Sequence, residues 1–249
     1  MDQTTTPSTQ VNSADIQKRI LPLGELFRLA WDQFVKNWKS IILLTVIISL
    51  PLNLLSAIFN RQMASTTSYS TFFGGLSAAG TGISILLLSL LGILIPLGIV
   101  VILRGSLDGK IIDYQTALRT AFTRWGAGIT TSLLMAICLI GLVILLVIPA
   151  IYFGVLWAFA MYLIMDENLS NMAALKASKA IVQGRWWKVF GNSIAFAVVA
   201  GIVASIVSWP FGGSNVVSVT IANTIGSIGS SFSLVAGYLL YRNLKANKV

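Results

Sequence analysis

Charged residues are absent from three long stretches of this chain, and this absence limits what it can fold into. No Asp, Glu, Lys or Arg occurs at positions 62–103, 125–165 or 189–241 of the 249 residues. Over the whole chain, 56% of the residues are hydrophobic and 10% are charged. A soluble fold of this size has too little interior to cover so much apolar surface. The composition therefore predicts a membrane protein.

Each charge-free stretch is long enough for one or two helical crossings of a bilayer. About 20 apolar residues are needed to cross roughly 30 Å of hydrocarbon. Two turns are predicted to divide the second and third stretches, one at Pro149 and one in the WPFGGSN segment at 209–215. Together with a further apolar run between Lys39 and Arg61, these stretches predict six spans, numbered 1 to 6 in chain order, over about 41–59, 83–103, 129–148, 151–165, 189–208 and 219–241.

The cations lie on one side of these predicted spans. Sixteen of the 17 Lys and Arg residues precede span 1, join spans 2 and 3, join spans 4 and 5, or follow span 6. Arg61 alone falls on the other side. Because segments rich in Lys and Arg stay in the cytoplasm during insertion, we predict a plasma (inner) membrane protein with both termini cytoplasmic. This topology explains the net charge of +9 without a nucleic-acid partner.

A short helix with one apolar face is predicted before each pair of spans, lying beside the membrane. The expected fold is all-α, with a single membrane domain over 21–249. Three similar units, each a surface helix followed by a two-span hairpin, cover about 21–103, 110–165 and 169–241. Residues 1–20 are predicted to be a disordered cytoplasmic tail, because they offer little to bury and lack the pattern of a cleavable signal peptide.

Tryptophan and cations recur together where each surface helix meets its span. Trp prefers the headgroup level of a bilayer, and Lys or Arg extends towards water, so membrane anchoring is one interpretation. A second hypothesis is that these residues form a ring that binds the headgroups of anionic lipids. The residues, called here the Trp–cation elbows, are Trp38, Lys39, Arg124, Trp125, Arg185, Trp186, Trp187 and Lys188.

Two segments carry a resemblance to a known family. They are VIPAIYFGVLW at 147–157 and MDENLSNMAALKASKAIVQGRWWKVFG at 165–191. Their Pro-aromatic turn, acidic pair, Ala-Leu-x-x-Ser helix and Trp-rich re-entry resemble uncharacterised bacterial six-helix integral membrane proteins, akin to the membrane domain of some glycerophosphodiester phosphodiesterases. The resemblance covers nearly all of 21–241 and implies a fold and a membrane location. It implies no phosphodiesterase activity, because that catalytic domain uses paired histidines and this chain has no histidine.

Few residues suited to catalysis or metal binding are present. The chain has no His, one Cys and eight carboxylates, whereas metal sites and acid–base catalysis need clusters of such groups. We therefore predict no enzymatic activity, no metal and no cofactor. The adjacent Asp166 and Glu167 are expected to pair with nearby cations or to favour the N-terminus of the following helix.

Span 6 is the least apolar of the six. Its polar face is matched by small residues on span 5, among them Ala197, Gly201 and Ser205. Tight packing within the protein or between subunits is one interpretation, because small residues let helix backbones approach closely. The other is a polar cavity for a small solute or a lipid headgroup. The residues predicted to form this face are Asn223, Ser227, Ser230 and Ser231.

From these features we expect a non-enzymatic integral membrane protein that organises lipids, most of all anionic ones, or partner proteins at the inner leaflet. A homo-oligomer or a membrane-protein partner fits this expectation. The alternative function is a passive transporter or channel that moves a small solute or lipid through a cavity beside spans 5 and 6. The loop at 60–82 is expected to face outward.

Overall fold

The computed structural model describes residues 19–66, 90–211, 213 and 215–247. This part of the chain is helical and contains no β-strand, which confirms the predicted all-α class. A 3₁₀ turn lies at Trp209–Phe211. The helices are α1 (Leu23–Lys36), α2 (Trp38–Thr66), α3 (Leu94–Leu107), α4 (Tyr114–Thr123), α5 (Trp125–Leu145), α6 (Val147–Leu156), α7 (Ala160–Asp166), α8 (Asn171–Val182), α9 (Trp186–Ser208) and α10 (Val216–Ala246).

Within the described residues, six helical stretches are long and apolar enough to cross a bilayer, which confirms the predicted number of spans. Spans 1, 2, 3, 5 and 6 correspond to α2, α3, α5, α9 and α10, and span 4 consists of α6 and α7. The spans are Trp38–Phe59, Leu90–Leu107, Trp125–Ile144, Val147–Asp166, Trp186–Phe211 and Val216–Ala246. The chain is thus a multi-pass membrane protein.

Several helix ends differ from their predicted positions. Spans 1, 3 and 5 begin at Trp38, Trp125 and Trp186, three or four residues before the predicted starts, because these Trp residues already belong to the helix that crosses. Helix α2 also continues to Thr66, into the predicted outer loop. The rest of that loop, the predicted start of span 2 at 83–89 and the tail at 1–18 lie outside the described residues.

The turn between spans 3 and 4 lies before Pro149 and not at it. Leu146 has an extended backbone, with φ −165° and ψ 131°, and it separates α5 from α6. Pro149 is the third residue of α6. The first amide groups of a helix have no acceptor within the helix, so a proline there removes no hydrogen bond. The prediction that Pro149 breaks the helix is therefore wrong in position.

The helix ends that carry the cations lie at one face of the protein, called here the cationic face. The Asn37 amide, before α2, donates to Ser106 Oγ at the end of α3 (2.9 Å). Arg124, before α5, donates to Asn168, which follows α7. Arg185, before α9, donates to the carbonyl oxygen of Asn247 after α10 (2.6 Å). The six ends are therefore brought together as the sequence predicts, although Lys18 and Lys248 lie outside the described residues.

The interior is formed mainly by spans 1, 2, 4 and 6. Leu97 and Leu103 of α3, Leu163 of α7 and Leu240 of α10 are fully buried. Spans 3 and 5 instead expose large apolar side chains, such as Ile144 on α5 at 80%. An apolar exposed surface of this kind is suited to contact with lipid tails and not with water.

The shorter helices α1, α4 and α8 each precede a pair of spans, at the predicted positions. Helix α1 packs on the rest of the protein through Leu26 and Ala30, which are fully buried, while Trp31 is 60% exposed. Placement of these helices along the membrane surface stays a prediction. So does the relation of the three units as repeats.

Candidate functional site

A cleft with a volume of about 660 Å³ lies between spans 1, 5 and 6 and opens at the surface. We call it the polar cleft. Its described lining residues are neither charged nor aromatic, and seven of the twelve are Ser or Asn. The lining residues are Asn53 of α2; Ala197, Ala200, Gly201, Ala204, Ser205 and Ser208 of α9; and Asn223, Gly226, Ser227, Ser230 and Ser233 of α10.

The cleft is open because α9 and α10 both carry small side chains beyond the point at which the two helices are in contact. At Gly229 the two helices approach so closely that an added Cβ would lie 3.0 Å from Ala204 Cβ and 3.1 Å from the Ala200 carbonyl oxygen. An added Cβ at Gly201 would meet nothing within 4 Å. The two interpretations of span 6 thus apply side by side, with tight packing at Gly229 and open space next to Gly201.

The hydroxyl groups in the cleft are oriented by bonds to the main chain. Ser227 Oγ donates to the Asn223 carbonyl oxygen, and Ser230 Oγ donates to the Gly226 carbonyl oxygen, each at 3.0 Å. Ser233 Oγ donates across to the Phe196 carbonyl oxygen at 3.0 Å. Because each proton is used in this way, the oxygen lone pairs are left to accept hydrogen bonds.

Two side-chain amides supply donors. Asn53 Nδ2 lies 3.3 Å from Thr224 Oγ1 and 3.4 Å from Ser227 Oγ, so both contacts are long. The Asn223 side chain is exposed in the cleft and makes no hydrogen bond to another described residue. The polar cleft therefore offers uncharged donors and acceptors together.

Ser231 does not belong to the cleft, in contrast to Asn223, Ser227 and Ser230. It is fully buried, with its Oγ 2.8 Å from Thr45 Oγ1 of α2. Successive residues on a helix are turned by about 100°, so Ser231 faces span 1 while Ser230 faces the cleft. Its hydroxyl group joins spans 1 and 6.

The cleft occupies the half of the spans that is farther from the cationic face. Its lining residues nearest to that face are Ala197 and Ser233. Ala197 lies 11 residues beyond Trp186, or about 16 Å along the helix. At this level Phe27 of α1 packs against Phe196 (ring centroids 5.0 Å apart) and Phe232 (6.2 Å). We call these three rings the aromatic layer.

A second group of polar residues surrounds Asp166 at the cationic-face end of span 4. The Asp166 side chain is only 3% exposed, and its carboxylate receives Lys245 Nζ at 2.9 Å and Arg242 Nη1 at 3.3 Å. Tyr241 and Tyr238 donate their hydroxyl protons to it, at 2.8 and 3.3 Å. These contacts join span 4 to span 6.

Pairing of the acidic residues with nearby cations is therefore confirmed. One ammonium group serves both, because Lys245 Nζ is also 2.9 Å from Glu167 Oε1. Sequence reasoning missed Tyr238 and Tyr241. Their spacing with the two cations, at positions 238, 241, 242 and 245, is that of one helix face, and this signal could have identified them.

Half of the Trp–cation elbows make hydrogen bonds within the protein. Trp125 Nε1 donates to the Leu90 carbonyl oxygen, and Trp186 Nε1 donates to the Tyr152 carbonyl oxygen, each at 3.0 Å. Arg185 donates to the carbonyl oxygens of Leu244 (3.2 Å) and Asn247 (2.6 Å). With Arg124, which donates to Asn168, these residues make internal contacts.

The other half of the elbows points outward. Trp38 is 49% exposed and Trp187 is 77% exposed. Lys39 Nζ lies 5.8 Å from the centroid of the Trp38 ring. Lys188 is half-buried beside Trp187 in the sequence. The members placed to meet molecules outside the protein, called here the outward elbows, are Trp38, Lys39, Trp187 and Lys188.

In the described residues, no group of three or more His, Cys, Asp or Glu side chains could hold a metal ion. Comparison with family models, with curated proteins and with solved structures finds no match to this chain, so the resemblance to the six-helix bacterial family stays a prediction.

Proposed function

We propose that this chain is a non-enzymatic integral membrane protein that organises anionic lipids or partner proteins at the inner leaflet. The observation that carries the proposal is the excess of positive charge at the cationic face. Fourteen described Lys and Arg residues belong to the segments at this face. Of these, only Arg19, Arg242 and Lys245 form ion pairs with carboxylates of the described chain. A basic residue near an anionic bilayer surface contributes about 1 kcal/mol of attraction.

The outward elbows would make this attraction specific. Each joins an exposed indole to a neighbouring ammonium group, as Trp38 does with Lys39 and Trp187 with Lys188. An indole ring favours the headgroup level of a bilayer, and an ammonium group beside it can pair with the lipid phosphate. Two such pairs support the binding of anionic headgroups next to spans 1 and 5.

The proposal requires the cationic face to be cytoplasmic. We expect Arg119→Cys, in a Cys138→Ser background, to resist a membrane-impermeant maleimide added to intact cells, because α4 would lie inside. The control is Arg61→Cys, which is exposed near the opposite end of α2 and should be labelled. Labelling of Arg119→Cys from outside would reverse the topology and contradict the proposed function.

The lipid proposal predicts weaker binding of an anionic lipid when the two lysines of the outward elbows lose their charge. We expect the double variant Lys39→Gln/Lys188→Gln to bind phosphatidylglycerol about tenfold more weakly, from about 1 kcal/mol per cation with partial compensation. The measurement is native mass spectrometry of the purified protein over a lipid titration.

The matched control for this loss is Lys176→Gln/Lys179→Gln, which removes the same charge from exposed positions of α8 that have no adjacent Trp. We expect this control to lose less than threefold in affinity. Equal losses in both double variants, or no loss in either, would contradict a role for the elbows.

The polar cleft favours a second candidate function, which is passive movement of a small solute or lipid. Such movement needs a route from the cleft to the cationic face, and the aromatic layer of Phe27, Phe196 and Phe232 lies at the level where the cleft ends. Counterflow of a labelled solute into protein-containing liposomes distinguishes the two functions, because a lipid-organising protein moves none.

A further inference from the structure

We propose that the polar cleft binds the uncharged, hydroxyl-bearing headgroup of a membrane lipid, such as the sugar of a glycosyl diacylglycerol. This inference goes beyond the proposed function. The cleft lies on the other side of the aromatic layer from the cationic face, and its chemistry differs from that of the elbows.

The lining determines the charge of the ligand. Among the described lining residues there is no Lys, Arg, Asp or Glu that could pair with an ionic group. A charge brought into a site of low dielectric without a partner is costly. A neutral polyol instead carries hydroxyl groups that both donate and accept, which matches the Ser oxygens and the amides of Asn53 and Asn223.

The volume and the unsatisfied amide indicate that lipid tails alone do not fill the cleft. A volume of about 660 Å³ is that of a small-molecule site. The Asn223 side chain is directed into it without a described hydrogen-bond partner. A polar group left unsatisfied in hydrocarbon costs several kcal/mol, so an occupant with hydrogen-bonding groups is favoured over an acyl chain.

The surface beside the cleft favours a lipid over a free solute. On α9, each of the lining residues Ala197 and Gly201 is followed by an exposed apolar residue, namely Val198 (51% exposed) and Ile202 (55%). An acyl chain could lie along these side chains while its headgroup occupies the cleft. A free sugar would leave this apolar strip unused.

The test uses the full-length protein in detergent micelles, with monoglucosyl diacylglycerol as the probe and native mass spectrometry as the readout. The variant Gly201→Leu places a side chain into the open space of the cleft, where an added Cβ meets nothing. We expect the apparent Kd for the glycolipid to rise at least tenfold. Gly191→Leu is the matched control on the same helix, also with nothing near its Cβ and outside the lining, and should bind as the native protein does.

A second variant, Asn223→Leu, tests the hydrogen bonding without relying on Gly201. It keeps a similar volume and removes the amide, and we expect about a tenfold weaker affinity because the hydroxyl groups of the bound sugar lose their partner. Native-like glycolipid binding by both variants would overturn the proposal. So would an absence of glycolipid binding by the native protein.

Two further measurements distinguish a lipid from a free sugar, and the cleft from the elbows. Free glucose, titrated in the same way, should bind at least a hundredfold more weakly than the glycolipid, and equal affinity would overturn the assignment to a lipid. The Lys39→Gln/Lys188→Gln variant should bind the glycolipid normally. Failure of the elbow proposal and failure of the cleft proposal are thereby distinguished.

Discussion

Replacing Asp166 with Asn is expected to lower the free energy of unfolding by about 3 kcal/mol, measured in detergent micelles by denaturant titration. The carboxylate is 3% exposed and contacts the cations of Arg242 and Lys245. Its loss would leave two partly buried positive charges at the end of span 6 without their main partner. The Tyr241 hydroxyl, 2.8 Å away, would lose a charged acceptor as well.

Glu167→Gln is the matched control for this change. It removes the same charge from the adjacent residue, which also contacts Lys245 at 2.9 Å but is 34% exposed. Partly exposed ion pairs contribute at most about 1 kcal/mol, so we expect a small effect. Equal destabilisation by the two variants would show that the burial of Asp166 does not determine its contribution.

Replacing Ser178 with Ala is expected to destabilise the protein by about 2 kcal/mol. Span 4 is interrupted between α6 and α7 at residues 157–159, and the fully buried Ser178 of α8 completes the hydrogen bonding there. Its Oγ donates to the Leu156 carbonyl oxygen at 2.7 Å and accepts from the Phe159 amide at 3.1 Å. Removing the hydroxyl leaves both groups buried and unsatisfied.

The comparison for Ser178 is Ser132→Ala on α5. The Ser132 hydroxyl donates to the Gly128 carbonyl oxygen one turn earlier, which leaves no main-chain amide dependent on it. Because such a bond within a helix contributes little, we expect a change below about 0.5 kcal/mol. If the melting temperature falls equally in both variants, the interruption of span 4 does not depend on Ser178.

The fold class and the number of spans could be predicted because the cost of placing charge in hydrocarbon is visible residue by residue. The interruption at 157–159 could not, because the segment Trp157–Ala158–Phe159 contains neither Gly nor Pro. It depends on Ser178, which the fold brings from α8. Pro149 marks the neighbourhood of a turn, yet its preference for the first turn of a helix moves the reversal to Leu146.

The candidate site was predictable in composition and not in orientation. Asn223, Ser227 and Ser230 line the cleft, but the rotation of α10 against α2 turns Ser231 towards Thr45. The contacts of the Trp–cation elbows could not be predicted from the sequence either. Trp125 and Trp187 look alike in sequence, but only Trp125 meets a carbonyl acceptor, that of Leu90, brought by another span. Such partners depend on tertiary packing, which a single sequence does not display.

The contacts of Arg185 have a consequence for access to the cleft. They tie the start of α9 to the last turn of α10, while the short connection at 209–215 ties the opposite ends of the same two helices. The α9 and α10 walls of the cleft are therefore held together at both ends, which opposes their separation. Lateral entry from the surrounding bilayer breaks none of these contacts. This route is suited to a ligand that is itself a membrane lipid.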